Sequence, residues 1–501
     1  MIFVPFNVPF FRDLSQGSLS NSCCDPCLSD SITSVCLSNG QLRRRSFMLT
    51  LQEIGQAAEG KWIGLPSLPV HSFHFDTRQV GPGGMYIALT GGNRDGHLFL
   101  AEAKSKGAVA ALISDETYMD MDSGLVYVLV EDTQLAFGKI AKFYRQRLNL
   151  PIIAVTGSNG KTTTKDMIAH ILSYKKNIYK TYKNFNNHLG VPLSLLQIQP
   201  DHQMAVLEMG MNHAGEIDYL ASISKPEVSV IVNVTDAHIE HLGSRENIAK
   251  AKGELLPHTS PHGFAILNGD NSYVRDISYL NPGKNYFYSI EQESDIYATS
   301  IITTDRGTSY TVHVDGKSQQ MEIPMFGTYN VANTLPAIFI AYRYGYSLEE
   351  IRDSLSTLAI SPMRFELVQE VENALVINDA YNASPTSMMS SIQTFSGILP
   401  QYKKVLVLGD MYELGEGSTD YHKEVGSFIK GLRESVDYVV TVGDQARHIG
   451  ESAQVPTRHF SNKDEVAPFL MTFMDRQHAL LFKASRGMML EEVIQDLMAF
   501  K

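Results

Sequence analysis

Three observations predict an α/β chain in three parts: a small N-terminal α/β domain, a central phosphate-loop domain on a mainly parallel sheet, and a C-terminal Rossmann-like domain. Short buried strands alternate with helical segments through the middle of the chain, a glycine-rich turn joins one such strand to a helix, and the alternation restarts in the last third. That pattern marks parallel sheets whose faces are covered by helices. The 501 residues suffice for roughly two to four domains, each with its own core.

Composition narrows the class. With 44% hydrophobic and 19% charged residues the chain reads as an ordinary soluble globular protein. A formal net charge of -12 argues against a nucleic-acid partner, which needs a basic surface to neutralise phosphates. No apolar run reaches the ~18 residues of a membrane-spanning helix. All four cysteines, Cys23, Cys24, Cys27 and Cys36, precede Met48. "CCDPC" invites a metal-clip or disulfide reading, but no histidine is near and the surrounding pattern is aperiodic and rich in serine. Residues 1–47 are expected to be a disordered extension or the result of a mis-assigned start, with Met48 the true beginning. A targeting segment in "MIFVPFNVPFF" is the alternative, though it lacks a basic n-region and a clear cleavage site. A cysteine-free body suits a reducing cytoplasm, the expected location.

The elements follow in order. From 48 to 132, "MLTLQEIGQAAEG" has immediate helical periodicity, "GGMYIALT" and "GLVYVLV" read as strands, and "HLFLAEAKSKGAVAALI" as a helix running into a strand. From 133 to 360, the helix "TQLAFGKIAKFYRQRLN" leads into the strand "IIAVTG", then "KTTTKDMIAHILSY", "MAVLEMG" and "VSVIVNVT" alternate. Polar alternating residues in "ATSIITTDRGTSYTVHVDG" predict an antiparallel annex before the helix "NVANTLPAIFIAYRYG". A boundary is expected near Ser361-Pro362. From 361 to 501, "KKVLVLGD", "VDYVVTVGD" and "HALLFKAS" are strands, each followed by a helix.

"IIAVTGSNGKTTTKDMIAHIL" carries the strongest chemical signal. A buried strand ends at Thr156, Gly157, Ser158, Asn159 and Gly160 form a turn, and Lys161, Thr162 and Thr163 open a helix. Backbone N–H groups and a helix N-terminus then face an anion, a lysine reaches the outer phosphates, and a threonine hydroxyl is left for Mg2+. The loop is the shorter GxxGKT form, since the first glycine of the six-residue loop would fall at Val155. Glycines occur in many strand-to-helix turns, but strand, paired glycines, lysine and threonine together point to an ATP-type nucleotide.

Further candidates sit where parallel strands end, the place ligands bind in such folds. Glu208 ends "MAVLEMG" and His238 follows "VSVIVNVTDAH"; taken singly, each is more readily a loop or satisfied core residue than a ligand, and Asp236 is a competing carboxylate, but together with Lys252 they make a more specific set. In "ENIAKAKGELL", Lys250 lies four residues from both Glu246 and Glu254, the spacing of surface ion pairs. Lys252 falls instead on the stripe of Ile248, Leu255 and Leu256. Burial lowers a lysine's pKa, and a neutral amine can take up CO2 to give a carbamate, an anionic oxygen ligand suited to a hard cation. Spacing alone favours a snorkelling lysine whose head reaches water.

These residues resemble the Mur ligases, ATP-dependent amide-bond formers of peptidoglycan synthesis, from about Met48 to the C-terminus. The resemblance implies that "TGSNGKTT" holds ATP, that Glu208 and His238 are magnesium ligands beside Thr162, and that Lys252 is carbamylated, with two Mg2+ sites in all. It makes Lys161, Lys252, Glu208 and His238 the catalytic candidates. "GTYNVAN" resembles the adenine-side motif, with Asn330; "SPMRFE" supplies Arg364 and "NDAYNASPTSM" supplies Asp379 on the ribose side. "DTRQVGPGGMYIALTGGNRDGHLF" resembles a UDP-sugar domain, with Thr77 and Arg78 as UDP contacts. "NFNNHLGVPLSLL", "LEMGMNHAGEI", "NDAYNASPTSM" and "VLGDMYELGEGS" are similar to the branch that adds D-alanyl-D-alanine to UDP-MurNAc-tripeptide, with Asn187, His213, Tyr381 and Asn382 as substrate contacts. Ser384 stands where that branch commonly has Asn, and "FKASRGM" varies a neighbouring motif. The implied partners are these two substrates, with no nucleic acid, no membrane span and a monomeric enzyme. Alternatives are another ligase of the superfamily, adding diaminopimelate or lysine or resembling folylpolyglutamate synthase, or a phosphate-loop hydrolase or kinase. A non-catalytic UDP-sugar-binding protein is a further alternative, but it would not need the metal ligands.

Overall fold

Apolar runs become the strands at the centre of each sheet. The computed structural model describes residues 49–499 apart from 92, 93, 305, 360 and 369–373. The expectations for residues 1–47, their cysteines and Met48 lie outside the described residues.

The largest sheet has nine strands, in the order Lys317–Ile323, Thr308–Val314, Ile296–Thr303, Lys284–Ser289, Phe264–Asn268, Val228–Ile231, Ile152–Thr156, Met204–Glu208 and Ile178–Lys180. Alternate side chains of Ile152–Thr156 enter two different cores. Ile152 and Ala154 join Ile140 and Leu207 on one face, while Ile153 and Val155 join Ile168 and Val230 on the other. Pairing is parallel from Ile178–Lys180 through Ile296–Thr303, and the last two strands are antiparallel. The predicted antiparallel annex is therefore a continuation of the parallel sheet, because Ile296 pairs alongside Tyr288.

Smaller sheets lie before and after it. Lys61–Ile63 runs antiparallel to Val126–Leu129, which continues in parallel through Ala108–Ile113, Gly84–Ile87 and Ser72–His74. After it come Glu366–Val368, Leu375–Asn378, His478–Lys483, Lys403–Gly409, Tyr438–Val442 and Thr457–Phe460, parallel except for the first pair. Among the described residues no helix is long and apolar enough to cross a membrane.

Two helix boundaries differ from the periodic reading. Leu49–Thr50 forms a short strand paired with Pro69–Val70, and the helix Leu51–Ala57 starts only after Thr50. Thr50 and Glu53 exchange backbone and side-chain hydrogen bonds in a capping box, a signal visible as Thr-x-x-Glu. The helix predicted through Leu256 stops at Gly253. Glu254 turns its carboxylate away from Lys250 and accepts the N–H groups of Gly215, at 2.8 Å, and Asp218, at 3.1 Å, at the start of helix Glu216–Ser224. An acceptor there satisfies unpaired helix donors, which a weak surface ion pair does not match in value. Among the described residues Lys250 accordingly has no ion pair. Glu254→Ala should lower stability by about 1 kcal/mol, and Lys250→Ala should change it by less than about 0.5 kcal/mol, both measured as shifts in urea unfolding.

Candidate active site

Strand register brings the candidate residues together. Glu208 lies opposite Val155 and Ile231 opposite Thr156, so three adjacent parallel strands end side by side, with the glycine turn and the segment leading to His238 beyond them. The turn is tied to its neighbour: Ser158 N–H donates to Asn233 O, Asn159 N–H to Asn233 Oδ1, and Thr235 N–H to Ser158 Oγ. Both glycines are required. A side chain at Gly157 would meet Val232 Cβ at 2.9 Å, and Gly160, with φ 80°, would meet Asn333 Oδ1 at 2.5 Å. Lys161 opens helix Lys161–Leu172 and donates to the carbonyls of Gly157 and Ser158 at 2.8 and 3.1 Å. Burial pushes its pKa down, partly opposed by Glu208.

Glu208 is 2% exposed. Asn186 Nδ2 donates to its Oε1 at 2.8 Å, and Lys165 Nζ stands 3.4 Å from Oε2, which accepts no hydrogen bond. Lys165 also donates to the carbonyls of Thr181 and Lys183. It was absent from the sequence candidates, yet its place four residues after Lys161 on one helix face was a usable signal. Asp236, the competing carboxylate, is committed elsewhere: Arg245 binds both its oxygens, at 2.6 and 2.8 Å.

Lys252 is 1% exposed and has no hydrogen bond or ion pair among the described residues. Snorkelling, which spacing alone favoured, requires a head in water, and this one is buried. Burial drives its pKa far below the ordinary lysine value, with the charge of Lys161 adding to the effect. His238 has a left-handed backbone, φ 69°, and its Nδ1 lies 2.5 Å from Glu413 Oε2. Burial lowers the pKa of His238, with Glu413 opposing, and the contact with His238 holds Glu413 below the usual carboxylate range. Nδ1 is buried and, although close to Glu413, forms no hydrogen bond of good geometry.

A cleft of about 680 Å³ is lined by the glycine turn, Lys161, Thr162, Thr163, Glu208, His238 and Asn330, and from the C-terminal sheet by Arg364, Asp379, Tyr381, Asn382, Glu413 and Lys483. Arg364 donates to Thr162 Oγ1 at 3.0 Å and lies 4.3 Å from the centre of the Tyr381 ring. Asp379 accepts from Phe365 N–H, from Ser391 Oγ and from buried Lys483, the last two at 2.7 Å. Asn330 Nδ2 donates to Phe326 O. Ser384 reaches the phosphate loop, within 3.3 Å of Asn159 Nδ2. Thr77 and Arg78 line a different cavity, about 590 Å³, where Arg78 grips Asp76 with paired hydrogen bonds. Asn187 and His213 do not line the cleft: Asn187 Oδ1 accepts from Leu189 and Gly190 at the start of helix Gly190–Leu196, and exposed His213 stands beside His241. Their neighbours Asn184, Asn186, Met211 and Asn212 form the wall instead.

The donors suit a hard cation in one respect and fall short in another. Glu208 Oε2 is a buried carboxylate oxygen with an unused acceptor position, near a threonine hydroxyl in the same cleft. Among the described residues, however, no group of three His, Cys, Asp or Glu side chains is placed to hold a metal.

Residues 155–341 match the Mur ligase middle domain and 363–486 the Mur ligase glutamate ligase domain. The UDP-N-acetylmuramoyl-tripeptide--D-alanyl-D-alanine ligase of Bacillus subtilis is 37% identical over 433 residues, 85% of this chain and 93% of that protein. The crystal structure of MurF from Acinetobacter baumannii superposes with a TM-score of 0.83 at 32% identity, over 91% of this chain and 99% of that one. MurF ligase from Thermotoga maritima, crystallised with ADP, gives 0.77 at 27% identity, over 85% and 97%. At such identity along nearly the full length of the Bacillus subtilis enzyme, the chain belongs to the Mur ligase family.

Proposed function

We propose that this chain is the ATP-dependent ligase that joins D-alanyl-D-alanine to UDP-N-acetylmuramoyl-tripeptide, making the pentapeptide precursor of peptidoglycan. The observation that carries this reading is a single cleft in which a phosphate loop and a buried carboxylate meet groups from a second parallel sheet, in a chain similar over nearly its whole length to an enzyme of that name.

The tripeptide carboxylate attacks the γ-phosphorus of ATP, releasing ADP and giving an acyl phosphate. The amine of D-alanyl-D-alanine then attacks the acyl carbon, and phosphate leaves. Two anions must first approach each other. Lys161 offsets their charge, and Gly157, Ser158, Asn159, Gly160, Thr162 and Thr163 cradle the phosphates. Asn330 and Asp379 hold the nucleoside end, and Arg364 carries positive charge from the second sheet to the phosphate-loop threonine. Thr77 and Arg78 bind the UDP end of the substrate in their own cavity, while Tyr381 and Asn382 face the reacting end, with Asn187 and His213 supporting the wall. In this division of labour residues 48–132 hold the UDP-sugar, 133–360 bind ATP, and 361–501 close over the reaction, keeping water from the acyl phosphate.

Mg2+ would be held at two sites, by Thr162 and by Glu208, His238 and a carbamate of Lys252, and would neutralise phosphate and carboxylate charge. The carbamate would add a second anionic ligand to Glu208, and the deeply buried Lys252 amine, without a partner among the described residues, supports it. The enzyme is proposed to act as a cytoplasmic monomer.

Purified protein should release phosphate from ATP only when UDP-MurNAc-tripeptide and D-alanyl-D-alanine are both present. Release without either would identify a hydrolase instead. Lys161→Ala should lower kcat by about 10²–10³-fold, with little change in KM for the dipeptide. For Lys252, a carbamate resonance should appear by NMR after incubation with ¹³C-bicarbonate and be missing in Lys252→Ala, whose lost activity a small added carboxylate should partly restore; a fully active Lys252→Ala enzyme would sink the role.

A further inference from the structure

We propose that Glu413 is a positioning residue for His238, so that the metal-binding end of the cleft is complete only when the C-terminal sheet is seated against the central one. This rests on His238 being a magnesium ligand. Glu413 lies in the loop after strand Lys403–Gly409, and His238 at the start of the short helix Ile239–Leu242. The two side chains meet at 2.5 Å. A backbone bond accompanies them: Glu240 N–H donates to Glu413 O at 3.2 Å. Both residues have left-handed backbones, φ 69° at His238 and 61° at Glu413, a conformation that costs energy in a residue with a Cβ and persists only when the surroundings enforce it. Ile239, next to His238, packs against the hydrophobic core of the C-terminal sheet. The contact thus combines a close side-chain pair and a backbone bond between the two segments with an apolar side chain set against the C-terminal core.

Its chemistry suits a metal ligand. A carboxylate 2.5 Å from Nδ1 is placed to take up an Nδ1–H, which would fix the tautomer and the plane of the ring and leave Nε2 to coordinate. In the same contact the second sheet bears on the site: lifting Glu413 away would leave the His238 ring free to rotate.

The test uses the intact protein with Mn2+ as the probe, followed by electron paramagnetic resonance, together with kcat and the apparent KM for Mg2+. Glu413→Ala should weaken Mn2+ binding by about 10–100-fold and raise KM for Mg2+ in proportion, with kcat at saturating Mg2+ less affected. Glu413→Gln, which keeps an acceptor for Nδ1–H, should recover most of the loss. If the alanine variant does not fold, Glu413→Met keeps the length without the acceptor and should show the same weakening. Wild-type Mn2+ affinity in the folded alanine or methionine variant overturns the proposal. His238→Ala separates the two ideas: weakened Mn2+ binding there but not in the Glu413 variants removes only the role of Glu413, and unchanged binding in both removes His238 as a ligand as well.

Discussion

A carboxylate shut away from water has to be held by charge and hydrogen bonds, and Glu208 is held by Lys165 at 3.4 Å and Asn186 at 2.8 Å. Those groups come from three successive pieces of the central sheet. Lys165 is on the helix that the phosphate loop opens, Asn186 follows the edge strand Ile178–Lys180, and Glu208 ends the strand between them and the loop. One buried charge pair therefore sets how far the phosphate loop stands from the neighbouring strand end. Lys165 also binds the carbonyls of Thr181 and Lys183, which brings the asparagine-rich wall into the same cluster. Because one oxygen of Glu208 accepts no hydrogen bond, the cluster is held firmly while keeping an anionic group available to the cleft.

The two sheets that face the cleft are joined mostly by polar contacts. Arg364 reaches Thr162, Ser384 reaches Asn159, Thr386 reaches Asp236, and Ser361 reaches Asp166. Apolar crossing is modest, with Ile239 and Phe326 packed against the C-terminal core. Polar interfaces of this kind separate at low cost, since water replaces each bond that breaks. That property fits a ligase that must open to admit two substrates and a nucleotide, then shut to exclude water. Ser384 illustrates the point: its hydroxyl bridges to Asn159, while its backbone N–H donates to Ser387 at the start of helix Pro385–Gly397.

Much of this was legible in the sequence because it is local. Buried strand runs, the glycine turn and the alternation of strand and helix all depend on residues within a few positions of each other, and the α/β architecture with mainly parallel sheets followed. Glu208 and His238 could be nominated because strand ends in parallel sheets are where ligands bind. What escaped was long-range or competitive. Nothing local distinguishes Glu413, whose meaning comes from a histidine in a different sheet. Spacing suggested that Glu254 would pair with Lys250, but the open helix end at Gly215 and Asp218 is the better partner. Sequence could not exclude Asp236 as a competitor of His238, whereas in the structure Arg245 holds both oxygens of the aspartate.

Lys252 joins these threads through charge balance. Lys161 and Lys165 have oxygen partners, whereas Lys252 has none among the described residues and lies close enough to Lys161 for the two ammonium groups to repel. A protonated Lys252 would place an uncompensated cation beside another. The neutral amine removes that conflict, and it is also the form that reacts with CO2. On the proposed chemistry the carbamate then turns an electrostatic burden into a ligand, adding negative charge where Glu208 and the neutral His238 bring too little to hold a divalent ion. On that chemistry burial acts twice on one residue: it disfavours the proton that would repel a metal, and it would strengthen the attraction of the anion that replaces it, since both effects grow as water is excluded.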